Sequence, residues 1–115
     1  MRRAIYAVMI ATFFPAGILL AAGPFDGDWK GSSRFKKGCP TEEMTLKIAD
    51  GAVTGERIIA GGNPGKLGGH VAPDGKLVGN HGRLTGEFSG NSATVLFHTD
   101  EKSCSDFTFM LDKVK

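Results

Sequence analysis

Two cysteines, three histidines and a few carboxylates carry the chemistry open to this chain. Cys39 and Cys104 are the only thiols among its 115 residues. Neither belongs to a Cys-x-x-Cys pair, so redox exchange and zinc ligation lack their usual geometry, and the two are read as one disulfide. Chain-entropy arithmetic assigns a link of this span roughly 4 kcal/mol of stabilisation. His70, His81 and His98 would make a three-imidazole zinc site only if the fold brought them together; none stands two or four positions from another. Asp26-x-Asp28 starts like a calcium loop, yet Lys30 and Lys37 stand where oxygen ligands are needed. The stretch Gly61-Gly62-Asn63-Pro64-Gly65-Lys66 has the outline of a phosphate loop, but Ala60 replaces its first glycine and Leu67 its hydroxyl residue. It is read as a turn. Glu42 and Glu43 are adjacent and point to opposite faces of a strand, so they form no carboxylate pair. With no Gly-x-Ser-x-Gly elbow either, these residues predict no catalytic site, no metal site and no cofactor.

The elements that would position such side chains read as strands throughout. Met44, Leu46 and Ile48 alternate with Thr45, Lys47 and Ala49; Asp50-Gly51 then supplies a hairpin turn, and Val53, Gly55, Arg57 and Ile59 continue the same spacing. Pro73-Asp74-Gly75 separates residues 66–72 from 76–80, and Gly90-Asn91 separates 84–88 from 93–97. The last run puts Phe107, Phe109 and Leu111 on one face. Together with residues 28–35 this makes about eight short strands, and the expected fold is all-β: a small antiparallel up-and-down β-barrel or curled sandwich.

A repeat supports closure. Gly-x-Φ-x-Gly, with Φ apolar, occurs six times, centred on Trp29, Val53, Leu67, Leu77, Leu84 and Phe88. In a strand its first, third and fifth positions share one face, so one large side chain stands between two positions with none. Glycines so placed let strands bend and approach closely, while Φ fills the interior.

Residues 1–22 read as a secretory signal peptide. Arg2 and Arg3 precede 19 uncharged residues, Ala4 to Ala22, that end in small side chains. Residues 23–115 then form a single barrel-like domain without a stable membrane anchor. Removing Arg2 and Arg3 from the 14 basic residues leaves 12 against 12 acidic ones, so no net charge surplus points to nucleic acid or anionic lipid. The expected location is periplasmic or secreted, where a disulfide persists.

Gly27-Asp28-Trp29-Lys30-Gly31 at the head of an all-β domain resembles the G-x-W opening strand of avidins and lipocalins, and Asp50-Gly51-x-Val53-x-Gly55 resembles the second hairpin of avidins. The early Trp and single disulfide are also similar to the periplasmic barrels that inhibit metalloproteases. The Asp-Gly turns and paired cysteines resemble an uncharacterised group of small exported bacterial proteins. These resemblances imply a ligand-binding barrel, or an inhibitor whose amino-terminal leader, here Gly23-Pro24-Phe25, enters a protease cleft. The expected function is a non-catalytic binding module for a small apolar ligand or an envelope protein. Trp29, Phe25, Lys30 and Arg34 are its candidate contact residues, the last two in a basic cluster with Lys36 and Lys37.

Overall fold

Alternating side chains need one wet face and one dry face, and a short sheet of eight strands satisfies this by closing on itself. The computed structural model describes residues 23–59 and 62–114. Its strands are β1 (Gly27–Ser33), β2 (Glu42–Ala49), β3 (Ala52–Ile59), β4 (Gly65–Val71), β5 (Lys76–Gly79), β6 (Leu84–Ser89), β7 (Ser92–His98) and β8 (Asp106–Lys113). Each pairs antiparallel with the next, and β1 pairs with β8, from Trp29 opposite Lys113 to Ser33 opposite Phe109. The sheet is therefore a closed up-and-down barrel rather than a sandwich. Among the described residues the one helical element is a 3₁₀ turn over Asn80–Gly82, and no helix is long and apolar enough to cross a membrane. The segment read as a signal peptide, residues 1–22, lies outside the described residues, as do positions 60 and 61 of the glycine-rich turn.

All six apolar residues at the centre of the glycine repeat are buried. The flanking glycines explain how the wall curls tightly enough to enclose them. A Cβ on Gly86 would lie 2.7 Å from the Thr94 carbonyl oxygen of β7, and one on Gly31 or Gly55 would collide with the carbonyl of Met110 or Thr45. The backbones of neighbouring strands occupy the space that side chains would need. Trp29, Met44, Leu77, Leu84, Val95 and Phe109 fill the interior, each essentially without solvent contact. A barrel of this strand number has little room beyond its own side chains, and here they take that room.

The two ends of the barrel differ. At one end lie the turns after β2, β4 and β6. Asp50 and Gly51 both have positive φ, 53° and 79°, as a two-residue type I′ turn demands. Asp26, just before β1, accepts hydrogen bonds from the Asp50 N–H (2.8 Å) and the Gly51 N–H (3.3 Å). The Asp50 bond is the main reason its carboxyl sits below the ordinary carboxylate range. The other end carries the connections after β1, β3, β5 and β7. Cys39 in the first is disulfide-bonded to Cys104 in the last, with Cα atoms 5.8 Å apart. Between β5 and β6, Asn80 is left-handed (φ 46°). Its side chain accepts from the Gly68 N–H at 2.8 Å and donates to the Lys66 carbonyl at 3.1 Å. It stands in for the strand that β5, only four residues long, does not supply beside the first half of β4.

Candidate functional site

The loop-bearing end holds the feature that packing alone does not explain. Glu42 opens β2 and shares its inward face with Met44, Leu46 and Ile48; Arg57 shares the inward face of β3 with Val53 and Gly55. Pairing places Met44 opposite Arg57 and Glu42 opposite Ile59, so the two charged side chains are diagonal neighbours inside the wall. Arg57 Nη1 donates to Glu42 Oε1 in a close ion pair. Glu42 is 2% exposed and Arg57 16%, so both charges have been taken largely out of water.

The guanidinium is held from a third side by aromatic rings. Its central carbon lies 4.3 Å from the centroid of Phe97 in β7 and 6.0 Å from that of Phe107 in β8, within reach of a cation–π attraction. Arg57 Nε is buried without a hydrogen-bond partner. An unmatched donor next to a buried ion pair is a net cost to folding, and apolar residues of similar volume would fill the space more cheaply. Above the pair opens a cavity of about 220 Å³, with Glu42 and Arg57 as its polar floor and Pro40, Ile59, Cys104 and Phe107 on its wall. The disulfide thus fixes part of the rim. Thr99 holds another part: its hydroxyl donates to the Cys104 carbonyl at 2.8 Å and accepts from the Glu101 N–H at 3.3 Å.

The contact residues expected from the sequence are spread over the molecule. Trp29 is 1% exposed, meets Phe88 edge-on at 4.7 Å and donates through Nε1 to the Phe25 carbonyl at 2.9 Å. It is a core residue with no free face. Phe25 packs on Phe88 at 5.8 Å, closing the tight-turn end. Lys30 is exposed on the outer wall. Arg34 is exposed at the loop end, its N–H bonded to the Thr108 carbonyl and its Nη2 directed at Met110 Sδ, 3.6 Å away. The three histidines do not converge. His70 lies beside the Asp50-Gly51 turn, His81 in the β5–β6 turn, and His98 bonds Asp106 at 2.7 Å. No group of His, Cys, Asp and Glu among the described residues is placed to hold a metal ion.

From the sequence, Glu42 was weighed only against Glu43 and Arg57 only as a strand position, and their pairing was missed although the signal was present. Both interrupt an otherwise apolar or glycine period-two face. A two-residue turn at Asp50-Gly51 also fixes the register that makes them diagonal neighbours. No family model, no curated protein and no solved structure matches the chain.

Proposed function

We propose that the chain is an exported, non-catalytic binding module that holds a small ligand at the loop-bearing mouth of its barrel. The basic start and uncharged run of residues 1–22 and the disulfide support export into an oxidising compartment. The filled interior argues against a ligand deep inside the shell. The single observation that carries the reading is the buried Glu42–Arg57 pair on the floor of the cavity, a costly arrangement that recognition would explain.

The lining limits the ligand class. The charges of Glu42 and Arg57 offset each other and Glu101 adds a negative charge to the lining, so an anionic ligand is disfavoured. A neutral head that both donates and accepts suits the pair, with an apolar body against Pro40, Ile59 and Phe107. A cavity of about 150 Å³ is enough for benzene, so a single substituted ring fits. Benzamide and benzoate are the informative probes. Titration followed by amide NMR is expected to move resonances around residues 40–42, 57–59 and 99–107, with benzamide binding more tightly than benzoate. Perturbations confined to the outer wall, or none with either probe, would overturn the reading.

The protease-inhibitor alternative needs residues 23–25 free to leave the barrel. Phe25 packed on Phe88 and Asp26 bonded to the β2–β3 turn favour the mouth instead.

A further inference from the structure

The loop between β1 and β2 presents a bare phenylalanine among cations. Phe35 is 84% exposed, and Arg34, Lys36 and Lys37 around it are exposed as well. The loop is not free to tuck the ring away. The Arg34 N–H donates to Thr108 of β8 at 2.8 Å and the Cys39 N–H to the Lys36 carbonyl at 3.0 Å, and the disulfide ties Cys39 to the β7–β8 loop. Among the described residues, none of the three cations is within ion-pair distance of a carboxylate. Asp106, hydrogen-bonded to His98, lines the same shallow groove as Phe35 and sets one carboxylate against the three cations. On the disulfide-linked loop Glu101 is offset by its neighbour Lys102. The local field is therefore positive, with an apolar ring projecting from it.

We propose that residues 34–37 dock the barrel on an anionic lipid surface. Phe35 enters the boundary between head groups and acyl chains while Arg34, Lys36 and Lys37 meet lipid phosphates. The ring decides between lipid and other polyanions: cations alone suffice for an acidic polymer, whereas an exposed phenyl group gains only where an apolar phase accepts it. Docking by this loop would also turn the mouth of the barrel toward the bilayer.

The test is flotation of the oxidised full chain with vesicles of phosphatidylcholine alone and with roughly one third phosphatidylglycerol. The neutral vesicles set the background from every other apolar part of the chain. Stronger binding to the anionic vesicles, reversed by salt, is expected. Lys36→Glu with Lys37→Glu should weaken it at least about tenfold, and Phe35→Ala about fivefold. In Phe35→Trp the added emission should shift to the blue on anionic vesicles, over a constant background from buried Trp29. That spectral change decides the matter even where a charge variant disturbs folding. Equal binding to both vesicle types, or an unshifted Trp emission, overturns the proposal. Loss on charge reversal without any effect of Phe35→Ala would overturn entry of the ring into the bilayer and leave a purely electrostatic contact, of the kind an acidic polymer or protein also makes.

Discussion

Taking Arg57 away strands a buried carboxylate, whereas replacing both members of the pair leaves only apolar packing. Arg57→Met alone is therefore expected to cost about 3 kcal/mol in urea unfolding, and Glu42→Leu with Arg57→Met to return to within about 1 kcal/mol of the parent or exceed it. The double variant should at the same time lose benzamide binding, which separates the pair's role in recognition from its role in stability. If the double variant is as unstable as the single one, the pair is a structural necessity. At this scale the sequence was legible in part. The face of Arg57 follows from Val53, Gly55 and Ile59, and its neighbour from the turn at Asp50-Gly51. Its aromatic cradle does not follow, because Phe97 and Phe107 come from strands distant in the chain and meet it only after closure.

The glycine repeat and the turns govern the strands. Gly86→Ala would force a methyl group to within 2.7 Å of the Thr94 carbonyl, and a loss of about 3 kcal/mol in thermal or denaturant unfolding is expected from overpacking against backbone. A cost below about 0.5 kcal/mol would mean that the wall can spread at β6 and β7. Asp26 gives the acid response. Its folded pKa is depressed because the Asp50 and Gly51 N–H groups bond to the ionised form, so its contribution is fully present above the ordinary value near 3.8 and is lost as pH falls through the lower, folded value. Asp26→Asn should therefore flatten that part of the stability profile between pH 5 and pH 2 on the way to acid unfolding; an unchanged profile would dissociate the clamp from stability. The strand pattern and the three tight turns were legible because period and turn chemistry are local. The bridging side chain of Asn80 was not, since it compensates for a strand whose shortness appears only in the register of β4 against β5.

On the scale of the molecule, one covalent link joins two loops 65 positions apart. Reduction is expected to lower unfolding stability by about 4 kcal/mol, read as a shift of the denaturant midpoint at unchanged strand content in circular dichroism. Loss of strand signal in native buffer would show instead that the barrel depends on the link. Eight strands and the pairing of the cysteines were legible, because a small chain rich in glycine has few other ways to bury its apolar face. Closure, as against a sandwich, depended on β1 meeting β8, a contact between the two ends of the domain that the glycine repeat permits but does not by itself specify. That contact also sets the order of events at synthesis. Until β8 has emerged from the ribosome, β1 and β7 present bare hydrogen-bonding edges, and no partial ring gives a nascent chain a finished core. If the chain is exported as proposed, a ring that closes only with its last strand leaves the polypeptide open long enough for chaperones to hold it and a translocation channel to thread it.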